Sequence, residues 1–254
     1  MKVSVIIPVF NREKFIGSAL RSLLRQRDAA DLDIIVVDDG STDSTAAIVR
    51  EMAAEAPCIR YAAQENMGVT KARNAGLKLL APDTEFVTFL DSDDISPAGR
   101  FARDLAYFEA DKALDLTYGL MTLVDRIDDA ALDIATGSEG ITVRGISLTT
   151  AIFRRSVIEP LDGFNEEFRQ AEDLDFLLRV FERHPKYVLS DTVAILYRQH
   201  PGNMTRKSKE EMRREFLKAM LRSAQRRRRD PTLGGMPRVF DLQNLTGGQP
   251  QAPV

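Results

Sequence analysis

Along the first half of the chain, apolar positions follow two alternating rhythms. VSVIIPV (3–9) and LDIIVV (32–37) are short continuous runs rich in β-branched side chains, the pattern of strands buried on both faces. EFVTFL (85–90) is another such run, and IRYAA (59–63) a weaker one. Between them the spacing changes to three and four. Phe15, Ala19 and Leu23, with Ile16, Leu20 and Leu24, trace one helical face, and Asn11 stands where an N-cap belongs. Residues 43–55 predict a second helix with Ala47, Ile48, Met52 and Ala53 inward, and 69–81 a third. Ser96 and Pro97 read as the cap and first turn of a fourth, which carries Phe101, Leu105 and Phe108 on one side. Strict alternation of strand and helix predicts an α/β fold: a Rossmann-like, mostly parallel sheet with helices on both faces.

The second half is less regular. LTYGLMTLV (116–124), LTTAIF (148–153) and VAILYR (193–198) read as strands. EDLDFLLRVFERH (172–184) reads as a helix with Leu174, Leu177, Leu178 and Phe181 inward, and His184 as a cation at its end. Residues 128–145 are polar and Gly-rich, with no clear period. Residues 210–229 form an amphipathic basic helix whose Met212, Phe216, Leu217 and Met220 pack inward. From about 230 the chain is rich in Pro, Gly and Gln, which predicts disorder. The expected division is one α/β domain over 1–205, a basic helical extension over 206–229 and a disordered tail over 230–254.

Composition narrows the field. The chain has 254 residues, 44% of them hydrophobic, enough for one large domain with a small appendage. Its net charge of −3 is uneven: residues 206–229 hold eleven Lys or Arg against three Glu, a local +8, which leaves −11 elsewhere. An acidic body argues against a nucleic-acid partner, while the basic stretch suits peripheral contact with an anionic membrane. Cys58 is the sole cysteine, which excludes an internal disulfide and fits a reducing compartment. No apolar run approaches the roughly 18 residues of a membrane span, and Pro8 breaks the N-terminal run without a cleavage site after it. The expected location is cytoplasmic, with a peripheral place on the cytosolic face of a membrane.

The polar, turn-forming residues collect just past the strand ends. Pro8, Phe10, Asn11 and Arg12 follow the first; Asp38 to Asp43 the second; Asn66 and Gly68 the third. FLDSDDI, with Asp91, Ser92, Asp93 and Asp94, closes the fourth. In an open parallel sheet these ends face one crevice. There is no G-x-G-x-x-G and no Walker A loop. The carboxylates suit a hard cation, Mg²⁺ or Mn²⁺, with a diphosphate completing its shell.

VSVIIPVFNREKFIGSALRSLLRQ, DIIVVDDGSTDST, ENMGVTKARNAGL, FLDSDD, LDGFNEEF and EDLDFLLRV, in this order, resemble the family 2 glycosyltransferases with the GT-A fold. The resemblance covers roughly residues 3 to 205 and implies several roles. Pro8, Phe10, Asn11 and Arg12 line the base and ribose pocket, and Asp39 accepts from the uracil imide. Asn66, Gly68 and Arg73 face the diphosphate or donor sugar. Asp91 and Ser92 lie on the donor side, Asp93 binds the metal, and His200, after the last strand, reaches the metal or the diphosphate. Glu172 and Asp173 match the family's acidic pair, with Asp173 the catalytic base and Glu172 on the acceptor or supporting side. Asp94 is left between helix cap and site, and Asp175 between support and surface.

These roles imply an inverting transfer of sugar from a nucleotide donor, UDP-linked by the family's habit. The acceptor is a glycan or lipid-linked hydroxyl in cell-surface polysaccharide, lipopolysaccharide or glycoconjugate synthesis. Two other classes compete. Haloacid-dehalogenase-like phosphatases also carry D-x-D after an apolar strand, though there it ends the first strand and here the fourth. A non-catalytic nucleotide-sugar binding module would keep the same loops. Substrate choice falls to residues 125–147 and 199–209, whose sequence has no readable pattern. The oligomeric state is unassigned.

Overall fold

The computed structural model describes residues 1–200, 202–203 and 209–235. Strands β1 (Lys2–Val9), β2 (Asp31–Asp38), β3 (Ile59–Ala63) and β4 (Phe86–Phe89) alternate with helices α1 (Ile16–Leu24), α2 (Thr45–Glu55) and α3 (Val69–Lys78). Helix α4 (Arg100–Ala110) and β5 (Leu116–Val124) follow. The unreadable stretch yields the small pair β6 (Ile127–Asp128) and β7 (Asp133–Ile134), then β8 (Gly140–Val143). The rest is β9 (Ala151–Arg154), α5 (Arg155–Ile158), α6 (Glu172–Phe181), β10 (Tyr187–Arg198) and α7 (Lys209–Arg229).

The main sheet runs β10-β5-β9-β4-β1-β2-β3, with β8 beside β5. It is mostly parallel: β3, β2, β1 and β4 share one direction, and β10 runs with β5. Strand β9 departs from the expected alternation by entering antiparallel between β4 and β5. Alternation along the strands sorts the core into two layers. Val3, Val5, Ile7 and Val9 pack with α1 and α4 residues such as Leu20 and Phe101. Ile6, Ile35 and Val87 pack with Ala72 of α3 and Phe176 of α6 on the opposite face.

Several local expectations are corrected. Asn11 is no cap: α1 begins at Ile16, and Asn11 takes a left-handed turn (φ 50°) that sends its side chain to the next loop. Ser96 does not cap α4, whose N-cap is Gly99; buried Ser96 instead accepts from Gln26 Nε2. Ala47 is exposed, and Thr45 and Val49 are the buried residues of α2. On α7 the inward residues are Met212, Phe216, Ala219 and Met220, while Leu217 is 57% exposed. Residues 230–235, expected to be disordered, turn back onto the body, where Gly234 N–H donates to Glu182 O (2.7 Å). The rest of that expectation, from 236 onward, lies outside the described residues, as do 201 and 204–208. No helix among the described residues is long and apolar enough to cross a membrane.

Candidate active site

The carboxyl ends of β1 to β4 open into a cleft of about 900 Å³, closed on the far side by α6, the end of β10 and the first turns of α7. The first two loops are joined by backbone-to-side-chain hydrogen bonds. Thr42 N–H donates to Asn11 Oδ1 (2.8 Å), Asn11 N–H to Ser41 Oγ (2.9 Å) and Arg12 N–H to Thr45 Oγ1 (2.8 Å). The second and third loops meet at Asp39. Its Oδ1 accepts from Gln64 Nε2 and Met67 N–H, and its Oδ2 from Gly68 N–H. Gly40 (φ +81°) makes this contact geometrically possible, because a Cβ there would stand 2.9 Å from Asn66 N. Pro8, Phe10 and Asn66 line the cleft beside these loops.

Arg73, expected to face the donor, is 3% exposed and turned instead to three acids. Nη1 donates to Glu172 Oε1 (2.7 Å) and Asp173 Oδ1 (2.5 Å), and Nη2 to Asp91 Oδ1 (3.0 Å). Burial alone would lower the Arg73 pKa, but Asp173, Asp91 and Glu172 outweigh it and hold the group above its ordinary value. Burial and the Asp173 charge push Glu172 up to about 7 despite Arg73. Burial raises Asp91 to about 6, with Arg73 opposing and Asp173 and Asp93 assisting. Among the described residues, Asp173 Oδ2 has only a long 3.4 Å contact, from Leu148 N–H.

Asp93 forms a second centre. Its Oδ2 accepts from Arg12 Nε (3.1 Å) and lies 3.0 Å from His200 Nε2. Arg12 therefore stands beside Asp93 in the cleft wall; its Nη1 is further held by Phe10 O and Asn11 O. Gly202 N–H donates to His200 Nδ1 (3.1 Å), which leaves the ring proton on Nε2, pointing at Asp93. His200 also lies against Phe15, ring centroids 5.0 Å apart. Asp94 is neither cap nor open ligand: it is buried, accepts from Arg198 N–H (2.9 Å), and burial beside Asp93 and Asp91 raises its pKa well above the ordinary range.

Sequence reading gave no site role to Arg198, Met212 or Phe216 and left Asp175 between support and surface. Arg198 Nε holds the Asp93 carbonyl (2.8 Å) while Nη2 pairs with Asp129 (2.5 Å), so a residue noted only as the end of a strand braces the acidic loop. Met212 and Phe216 of α7 line the cleft, although the basic helix had been set outside the domain. Asp175 is buried and pairs with both Arg179 and Arg226, which ties α6 to α7. The apolar positions of α7 were the available signal for this docking.

Comparison with known proteins agrees with the fold and the motif order. Chondroitin synthase of Escherichia coli is 30% identical over 190 residues, covering 72% of this chain and 27% of that protein. The uncharacterized glycosyltransferase EpsJ of Bacillus subtilis is 29% identical over 218 residues, 80% of this chain and 62% of its own. The chain thus spans less than two thirds of these relatives. Residues 1–349 of S. aureus TarS, solved in complex with UDP-GlcNAc, superpose with a TM-score of 0.71 at 25% identity, over 87% of this chain and 66% of that one. The family description Glycosyl transferase family 2 matches residues 4–160, more than half of the sequence, and the chain belongs to that family.

Proposed function

We propose that this chain is an inverting glycosyltransferase. It moves a sugar from a nucleoside diphosphate, UDP, to a hydroxyl of a glycan or lipid-linked acceptor during synthesis of a cell-surface polysaccharide, lipopolysaccharide or glycoconjugate. It works in the cytoplasm, on the inner face of a membrane. The observation that carries the proposal is the convergence of Asp39, Asp93 and Asp173 on one cleft from three separate elements. The TarS structure with UDP-GlcNAc supports a uridine donor. A phosphatase reading is less well supported, since Asp91, its nucleophile, is held by Arg73.

Asp173 is the base. Arg73 fixes Oδ1, and the loosely held Oδ2 is the atom available to accept the acceptor's proton. The acceptor oxygen forms its bond to the anomeric carbon as the bond from that carbon to the diphosphate oxygen breaks. The electron pair leaves with the nucleoside diphosphate, the proton ends on Asp173, and a single displacement inverts the centre. Pro8, Phe10, Asn11, Asn66 and Gly68 bound the nucleotide end. Asp39 has one lone-pair direction left on Oδ2 for the base, its other contacts being three donors.

Among the described residues no three His, Cys, Asp or Glu gather into a metal cage. The donor set fits a cation that a diphosphate helps to bind: Asp93 Oδ2 and His200 Nε2 stand 3.0 Å apart in the cleft wall, an oxygen and an imidazole nitrogen that could both turn to one ion. Asp93 and His200 would hold Mg²⁺ or Mn²⁺, and the ion would neutralise charge on the departing diphosphate. For His200 to serve, its proton must move to Nδ1, at the expense of the Gly202 hydrogen bond. Release of nucleoside diphosphate from a panel of nucleotide sugars tests the proposal. Turnover should require Mg²⁺ or Mn²⁺ and stop with EDTA; undiminished turnover in EDTA would remove the ion from the account.

A further inference from the structure

One side of α7 is used by nothing described so far. Its inner side is firmly held. Ala219 is buried with Phe168, Leu174 and Leu178, and Phe216 and Met220 pack beside it. Arg226 Nε donates to Glu182 Oε2 (2.8 Å) and Nη1 to Asp175 Oδ1 (3.0 Å), while Ser223 Oγ donates to Glu182 Oε1. The orientation of α7 is therefore set by the body. Its outer side carries Leu217 and Leu221, 57% and 62% exposed and one helical turn apart. Exposed Arg213 and Arg214 precede them, and exposed Arg228 and Arg229 follow. None of these four arginines has an ion-pair partner among the described residues. At helical spacing, Arg213, Arg214, Leu217, Leu221 and Arg228 fall within an arc of about 100°.

Two leucines bracketed by unpaired arginines match the chemistry of a bilayer surface: apolar groups for the acyl boundary, cations for lipid phosphates. A second copy of the chain fits less well, because apposed faces would set arginine against arginine. A nucleic acid would gain nothing from the leucines. The same helix lends Met212 and Phe216 to the cleft wall, next to Ile146 and Leu174. A surface met by Leu217 and Leu221 thus lies one helix diameter from the cleft. We infer that the outer face of α7 docks on an anionic lipid bilayer, with Leu217 and Leu221 inserted and Arg213, Arg214, Arg228 and Arg229 on the lipid phosphates. The cleft then meets an acceptor carried in that bilayer. The acceptor half of this inference rests on the proposed sugar transfer; the docking half does not.

The test is flotation of the full chain with phosphatidylcholine vesicles, with and without phosphatidylglycerol. Binding should be at least about tenfold stronger to the anionic vesicles and should weaken as salt is raised. Leu217→Glu with Leu221→Glu should lower it about tenfold or more, with circular dichroism and UDP binding unchanged. Arg213→Glu with Arg214→Glu should remove the preference for anionic lipid. Absent binding, equal binding to neutral vesicles, or undiminished binding by the leucine variant would each overturn the inference. So would a dimer in sedimentation that the leucine variant abolishes. Nucleoside diphosphate release with a water-soluble acceptor, measured without vesicles, tests the sugar-transfer reading separately.

Discussion

Arg73 of α3 holds together three acids that arrive from two other parts of the chain: Asp91 after β4, and Glu172 and Asp173 at the start of α6. Three acids around one buried cation explain why the acids tolerate one another. Arg73→Met should lower kcat by about 10²-fold with a smaller change in KM, because it frees Asp173 rather than removing a substrate contact. Arg73→Lys should recover part of kcat; equal losses in both variants would mean that charge placement is not the point. Glu172 gives a pH signature. Its folded pKa, about 7, lies above the unfolded value of about 4.3. The folded state therefore holds a proton that the unfolded state has lost, and the stability from that proton disappears as pH rises from about 4.3 through 7. In thermal melts of the ligand-free chain, Glu172→Gln should show a smaller decline across that window than the parent; parallel curves would contradict the assignment. The resemblance marked Arg73, Asp91, Glu172 and Asp173 one by one, but their pairing was not legible in sequence, where the acids lie up to 100 residues from Arg73.

At the scale of elements, buried periodicity was readable and helix starts were not. The spacing of Phe101, Leu105 and Phe108 placed the inner face of α4, because burial repeats with the helix turn. Ser96 looked like its cap because a hydroxyl before proline is a local signal, but Ser96 is claimed by Gln26, just past the end of α1, a tertiary contact. Asn11 failed as a cap for the same reason: the second loop takes its side-chain oxygen. Gly76, unremarkable in the string, is where α3 presses on β1, since a Cβ there would lie 2.5 Å from Ile6 Cγ2. Gly76→Ala should cost about 1–3 kcal/mol in chemical denaturation; an unchanged midpoint would show that α3 can lift away freely. Arg226→Ala should cost a similar amount, about 1–3 kcal/mol. It leaves Glu182 without its guanidinium partner and Asp175 with Arg179 alone.

For the whole molecule, the sequence pattern was enough to bring four strand ends to one crevice, because parallel strands joined by helices must all point the same way. That inference needed no knowledge of β9, whose antiparallel entry between β4 and β5 is decided by long-range pairing that local patterns do not encode. It also missed that α7 completes the cleft, since docking of a basic helix depends on buried Asp175 of α6 and on Glu182 at its C-terminal end. The central claim is that this cleft transfers sugar from a nucleotide donor with Asp173 as base. The most direct measurement compares Asp173→Asn with the parent chain, following turnover of the best nucleotide sugar and UDP affinity by calorimetry. Transfer should fall by about 10³-fold or more while the UDP dissociation constant stays within about threefold. Retained transfer in Asp173→Asn, or loss of UDP binding in step with turnover, would contradict the account.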